Sequence, residues 1–590
     1  MLASLLLAFA ALTAPDPEPL SACTIIRAET LPELVRNEDA RADSVELLRG
    51  FGISHLLLEA FRADVDLSDD DRALLRDYYQ DNGFRVGAFF LTAQWPDFGV
   101  EDSRGIRWLN YEEPASRKAV ESAVRTLARQ FDELMIGEYF CTADNSLKSA
   151  ESKGDRSWGE YRRALLREVA EENIAGPARE ENPGIRLLFK MPQWYDRLAE
   201  FGYDPAALGE VADGISAGAE SRGARTAAYG YVPAYDGYIS ARWVAALAGE
   251  RFSGAVWFDD NDCGEHEWLQ QSWNAVLSGG RELGLFKYES LLEGHADHDK
   301  YKAEIDDFRA LAAHLREHPV SGIPIYMPRN SDPDGETFAA GILGMLGVPL
   351  VPVTAWPESD RTIVLSSHAA GDPDIKTRVQ DWIAKGGSAV MTHRFLTRVP
   401  RSDELAALAG VHVPDRINMR VADTLITDGE KTYIRPSLRV SGDLETEFAR
   451  TVLTAEALGE PQVYLTDYAT EQGGRIAVLN LYTYDEFDFN RMYAPTYIPA
   501  EPALTHVNRA WADALRAAFL AAEPYTLSAP AGVTLFPLSG TGFFLQNHTD
   551  TAAEIAMTFA DGAYALDGQQ GTSLEFTLPA HARAWVKKAE

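Results

Sequence analysis

Five carboxylates, Glu59, Glu138, Glu220, Asp259 and Glu289, stand at or just after the end of a short apolar run. A sixth run ends in Lys190-Met191-Pro192-Gln193-Trp194. Aromatic residues are interleaved with them: Phe61, Tyr139, Trp194, Tyr195 and Trp257, with Trp95 in an intervening segment. Two acids held close together can divide the work of glycosidic bond cleavage. One protonates the departing oxygen, and the other attacks the anomeric carbon or activates a water. Crowding raises the pKa of one of them, which keeps its proton available near neutrality. Aromatic rings offer stacking surfaces to the apolar faces of sugars. Glu138 is the first candidate for catalysis, with Glu220 and Asp259 competing to be its partner. Glu59, Lys190, Trp194, Trp257, Asp260 and Glu289 are the candidates for holding a sugar.

Two other readings fit parts of the same set. A barrel with this mouth can bind carbohydrate without cleaving it. Asp259, Asp260 and Asp262, together with His295, Asp297 and His298, can also be read as ligands of a catalytic metal ion. Their spacing matches no strong metal motif, and no metal or organic cofactor is expected. Cys23, Cys141 and Cys263 are too widely spaced for a zinc module or a disulfide framework.

To converge, these residues need a frame. Residues 23–318 alternate eight times between short apolar runs and amphipathic stretches. The runs are Cys23–Ala28, His55–Phe61, Arg85–Thr92, Glu133–Phe140, Ile185–Met191, Gly214–Glu220, Gly254–Asp259 and Glu282–Glu289. Ser68-Asp69-Asp70-Asp71 marks a helix start and Asn82-Gly83 its end. Eight β-then-α units predict a TIM (β/α)8 barrel, whose active site lies at the C-terminal ends of the strands. No Gly-x-Gly-x-x-Gly turn follows the first strand, which disfavours a dinucleotide-binding sheet. Strand alternation puts Leu134 and Ile136 on the inward face with Glu138, and Trp257 with Asp259. On that ground Asp259 is preferred to Asp260.

Pro319-Val320-Ser321-Gly322 breaks the pattern. Residues 319–525 read as a smaller, flavodoxin-like α/β domain with a β-rich insertion between 410 and 470. Residues 526–590 read as a small β-sandwich, with turns at Asp561-Gly562 and Asp567-Gly568. The 590 residues carry 89 acidic and 55 basic side chains, a formal charge of −34. That excess disfavours nucleic acid and anionic membrane surfaces as partners. Residues 2–14 are apolar, too short to span a bilayer and of the length of a signal-peptide core. Residues 1–22 are therefore expected to be a leader, and the protein to be exported to the periplasm or beyond. Leu20-Ser21-Ala22-Cys23 also has the form of a lipobox. No transmembrane segment is expected.

A barrel, an open α/β domain and a terminal sandwich, in that order, resemble the layout of microbial β-galactosidases with a trimerisation domain. The middle domain of that group is similar to a glutamine amidotransferase lacking its catalytic cysteine. Here Leu365-Ser366-Ser367-His368 follows a strand, and residues 319–525 contain no cysteine. Phe543-Phe544-Leu545-Gln546-Asn547-His548, Leu574–Pro579 and Ala584-Trp585-Val586 are similar to a glycosidase C-terminal sandwich. The resemblance implies a glycoside hydrolase acting on a carbohydrate, and a homo-oligomer formed through the middle domain. It also implies an Asn-Glu acid/base pair after the fourth strand and a Glu nucleophile after the seventh. This chain has Gly137-Glu138 at the first position and Asp259 at the second. A second likeness is to α-glycosidase barrels with a nucleophile after strand four and an acid/base after strand six, the positions of Glu138 and Glu220. Neither likeness fixes the sugar or the linkage.

Overall fold

Each apolar run is flanked by charged, helix-forming sequence and is buried on both faces, the condition under which parallel strands form. In the computed structural model the strands are β1 Ser21–Ile26, β2 His55–Leu58, β3 Arg85–Phe90, β4 Glu133–Ile136, β5 Arg186–Met191, β6 Gly214–Gly218, β7 Phe252–Asp259 and β8 Glu282–Phe286. They close into a barrel in sequence order, with β8 returning in parallel to β1. The structure describes residues 20–62, 65, 67–92, 100–101, 107–226, 230–358, 361–414, 418–427, 429–485, 488–489, 498 and 500–589. The apolar run 2–14 and Trp95 lie outside the described residues.

Several strands stop earlier than their apolar runs. Glu59, Glu138 and Glu220 fall just past the ends of β2, β4 and β6. There the backbone turns: Phe140 N–H donates to the Gly137 carbonyl at 3.1 Å, and Ser221 N–H to that of Ala219 at 2.8 Å. Apolar side chains at such positions line the mouth without extending the ladder.

Cys23, Ile25, Leu57, Phe89, Met135 and Trp257 belong to the packed barrel interior. The expected alternation on β4 is thus corrected: Met135 points inward, and Leu134 and Ile136 pack toward the outer core. Glu138 reaches the mouth because the strand has ended and the turn at Gly137 resets the phase. A Cβ at Gly137 would strike the Phe89 ring. Likewise a Cβ at Gly284 would strike Trp257, so β8 is cut back to make room for the indole. Cys23 is fully buried within β1.

The N-terminal end of the barrel is closed by an ion network. The His55 imidazole lies 2.8 Å from Glu133 and 3.1 Å from Glu282. Arg186 joins Glu133 at 2.7 Å and Arg85 joins Glu282 at 3.0 Å. Burial disfavours the charged imidazole, but Glu282 and Glu133 outweigh it and the His55 pKa rises. Burial also opposes the Glu133 charge, yet His55, Arg85 and Arg186 hold that carboxyl down at about 2.

Past the barrel, β9 Ile323–Tyr326, β10 Leu350–Val353, β11 Thr362–Leu365, β12 Ser388–Thr392 and the late strand Arg475–Leu479 run parallel. The segment expected to be a β-rich insertion continues this same sheet. Its long hairpins add four antiparallel strands, making nine in all. The chain ends in a three-stranded and a five-stranded sheet. Rings from both meet between them, with Tyr525 and Phe559 at 4.7 and 5.6 Å from Phe543.

The barrel packs on both later parts. Asp196, after β5, accepts from His368 at 3.0 Å, and His368 is 2.6 Å from Ser331. Tyr235 stacks on Phe536 and Trp273 on Phe544, with centroids 5.1 and 5.3 Å apart. No described helix is long and apolar enough to cross a membrane.

Candidate active site

The segments following β2, β4, β5, β6 and β7 converge on one cavity at the C-terminal mouth, of about 840 Å3 measured out to open solvent. Glu59, Glu138, Lys190, Trp194, Glu220 and Asp259 all line it. The structure thus brings together six of the nine residues singled out in the sequence. A hollow beside the middle sheet has one carboxylate, Glu501, already paired with His506 at 2.7 Å. It lacks the carboxylate pair that the mouth has.

Lys190 organises the centre. It points inward because it shares the pleat of β5 with Leu188, an interior residue. Its ammonium donates to Glu220 Oε1 at 2.8 Å and lies 3.3 Å from Glu138 Oε2. Those two oxygens, held by one ammonium, are therefore no more than about 6 Å apart. Burial disfavours the ammonium, but Glu138 and Glu220 outweigh it, so the Lys190 pKa rises and the charge is kept. The Trp257 ring supports it from below, 5.7 Å from the nitrogen.

The two glutamates differ in setting. The Glu220 side chain is 4% exposed and that of Glu138 is 21% exposed. Burial pushes the Glu220 carboxyl up; Lys190 and Arg222 oppose this, while Asp259 and Glu138 add to it, and the net direction is upward. Glycine is required at 218, since a Cβ there would strike the Gln193 backbone nitrogen as well as Glu220 Oε2.

Asp259 is held apart from this pair. Arg222 Nε and its terminal nitrogen donate to the two Asp259 oxygens at 2.8 and 2.5 Å, and Asn261 N–H adds a third bond at 3.2 Å. Both side chains are buried. Arg222 adopts a left-handed backbone, φ 56°, to make this fork. Asp259 is therefore a fixed counter-ion. Glu59 sits across the mouth. Its Oε2 accepts from Ala28 N–H at 3.0 Å and lies 3.4 Å from Arg62 and 3.6 Å from Arg27. Burial nevertheless pushes its carboxyl up. Arg27 and Arg222 line the cavity but were not assigned roles from the sequence. The signal was faint: Arg222 lies two residues past Glu220, and its partner is on another strand.

Three expected sugar-holding residues do not line the cavity. Trp257 is wholly buried beneath the floor, and its indole N–H donates to Ser216 at 2.8 Å. The parity that aims Asp259 at the mouth puts Trp257 one layer deeper. Asp260 lies beyond the end of β7, outside the lining. Glu289 accepts from Arg27 N–H at 3.0 Å and from the Thr30 hydroxyl at 2.5 Å, and so holds the loop after β1. Tyr195 turns away as well, its ring 5.3 Å from Phe338.

The metal-ligand reading is also corrected. Asp297 caps the helix Glu267–Leu277, accepting from His266 and Leu269 N–H at 2.8 and 3.2 Å. His298 packs edge-on against Phe51 and Trp268, and burial lowers its pKa to about 4. With Asp259 in the Arg222 fork, the ligand set does not assemble. Among the described residues, the one grouping of His, Cys and acid atoms within 4.8 Å is Cys23, His55 and Glu282 at the opposite end. The Arg85 guanidinium already lies against it, 2.6 Å from His55 and 3.0 Å from Glu282.

A closed (β/α)8 barrel with a carboxylate pair bridged by lysine at its C-terminal mouth has the groups that glycosidic bond cleavage uses. The chain belongs to the family described as probable glycosyl hydrolase, catalytic domain, whose model matches residues 11–318. The matched family is one of glycosyl hydrolase catalytic domains. Uncharacterized protein SSO3021 of Saccharolobus solfataricus is similar to it, 22% identical over 372 residues that cover 56% of this chain and 60% of that protein. The match thus spans less than two thirds of that relative. Gan42B, a GH42 beta-galactosidase, superposes with a TM-score of 0.58 at 12% identity, covering 97% of this chain and 98% of that one. A catalytic mutant of Gan42B from G. stearothermophilus gives the same TM-score at 11% identity, with the same coverage of both chains. At such identity the likeness is one of fold alone.

Proposed function

We propose that the enzyme cleaves a glycosidic bond of an oligo- or polysaccharide with retention of anomeric configuration. Glu138 is the nucleophile, and Glu220 is the general acid and then the general base. The observation that carries this reading is the Lys190 bridge, which ties two unlike carboxylates to one ammonium; such closeness favours the short separation of a retaining pair. Glu220, buried and pushed up, donates its proton to the leaving oxygen. Glu138, more exposed and beside an ammonium, attacks the anomeric carbon, and the C–O bond to the leaving group breaks. Water then attacks the anomeric carbon while Glu220 takes its proton, and the C–O bond to Glu138 breaks. Glu59 and Trp194 are placed to hold the sugar's hydroxyls and its apolar face.

The test is a panel of nitrophenyl and methyl glycosides and natural oligosaccharides, with the product anomer read by NMR. Glu138→Gln is expected to lose about 10²–10⁴-fold on every substrate. Glu220→Gln is expected to lose as much on methyl glycosides and oligosaccharides, while nitrophenyl glycosides, whose leaving group needs no proton, keep their first step. Product of inverted configuration, or full activity in Glu138→Gln, rejects the assignment.

A further inference from the structure

Behind Glu220 and Arg222 lies a smaller chamber that shares these two residues, Gln193 and Trp194 with the main cavity. Its far wall includes Val232, Asp236 and Phe338. It offers about 20 Å3 to the centre of a water-sized sphere. A single buried water needs roughly 10–15 Å3 by that measure, and two to four polar partners. Two of the lining residues have a buried oxygen with no hydrogen-bond partner: Glu220 Oε2 and Asp236 Oδ2. Both residues are 4% exposed. Their other oxygens are taken, by Lys190 at 2.8 Å and by the Tyr195 hydroxyl at 3.1 Å. Buried polar atoms nearly always have a partner, and where protein supplies none, water does.

We infer that one ordered water in this chamber bridges Asp236 Oδ2 and Glu220 Oε2, making Asp236 a positioning residue for the acid. The role rests on Glu220 being the acid; the water site does not. Asp236 begins the helix Asp236–Ala248, whose first turn presses on the residue before Glu220, since a Cβ at Gly237 would strike the Ala219 carbonyl. Burial pushes the Asp236 carboxyl well up and Asp196 adds to it, against the Tyr195 hydrogen bond, which favours its protonated form. Asp236 O–H then donates to the water, and the water donates to Glu220 Oε2. That chain stabilises the Glu220 carboxylate, the form needed when it acts as base. The other groups facing Glu220 are Lys190, Arg222, Asp259 and Glu138, and the test leaves all four in place.

A high-resolution crystal structure is expected to show a water within hydrogen-bond distance of both oxygens; a dry chamber overturns the inference even if glycosidase activity is found. Asp236→Ala removes the donor, so the alkaline limb of kcat/KM, which reports loss of the Glu220 proton, should move up by about one pH unit. Asp236→Asn keeps an N–H donor and should restore the wild-type limb. An unmoved limb in Asp236→Ala, or one moved down as loss of a charged neighbour would cause, rejects the role of Asp236. Equal shifts in both variants reject it as well. Failure of the hydrolase reading looks different: wild type then cleaves no glycoside, and the water remains.

Discussion

Lys190 is one ammonium serving two acids, so its removal changes both. Lys190→Met takes away a charge that lowers the Glu220 pKa. The alkaline limb of kcat/KM should therefore move to higher pH, with kcat down by about 10²-fold as Glu138 loses its counter-charge. A pH–rate profile in wild type and variant checks both. Arg222→Gln acts differently. It leaves Asp259 buried and unpaired, expected to cost about 3–5 kcal/mol in a denaturant titration. The acids were visible in the sequence as candidates, because a barrel gathers the residues at and just past its strand ends; the pleat aims Asp259 alone, since Glu59, Glu138 and Glu220 lie beyond their strands. Their partners were not, because Arg222 meets Asp259 across two strands and no spacing along the chain encodes that distance. Trp257 looked like a stacking platform because its residue type suits either role. The residue that decides is Gly284 on the neighbouring strand, which yields the space the indole fills.

Elements set what single residues can do. The turn after β4 needs Gly137, because Phe89 and Leu91 occupy the space where a side chain would go. Gly137→Asn, which would recreate an Asn-Glu pair, is expected to overpack the site by about 1–3 kcal/mol and to lower the melting temperature without raising activity. At the other end of the barrel, His55 ties β2 to β4 and β8. With Glu133 held at about 2, its contribution is present above the ordinary 4.5 and is lost as pH falls toward 2. That contribution is on the order of 3 kcal/mol. His55, with a raised pKa, contributes below its ordinary 6.5, and this is lost as pH rises through the folded value. Denaturation midpoints of wild type and His55→Gln should therefore differ most at about pH 5 and converge toward alkaline pH. A gap independent of pH would mean that packing, not charge, holds the floor. The eight strands were readable from their apolar runs, but their ends were not, because apolar side chains serve a mouth as well as a ladder.

In the whole molecule, barrel, middle sheet and terminal sandwich bury polar and aromatic groups against one another. Asp196 and His368 meet across one seam, Tyr235 and Phe536 across another. A chain cut after residue 318 would expose Tyr235, Trp243 and Trp273 together and strip Asp196 of its partners His368 and Phe338 N–H. It is expected to aggregate on expression, whereas the full chain should melt in one cooperative step by calorimetry. Order of elements was legible along the chain, but the seams were not, since they pair side chains hundreds of positions apart. The helix Asp236–Ala248 lies where these seams meet. Its first residue lines the chamber behind Glu220, the Tyr235 ring before it stacks on Phe536, and Trp243 within it donates to the Met327 carbonyl at 3.4 Å. For anyone engineering a heat-tolerant catalyst, that helix is where to reinforce. Stiffening the barrel alone would leave the acid's backing as durable as the joints around it, and no more.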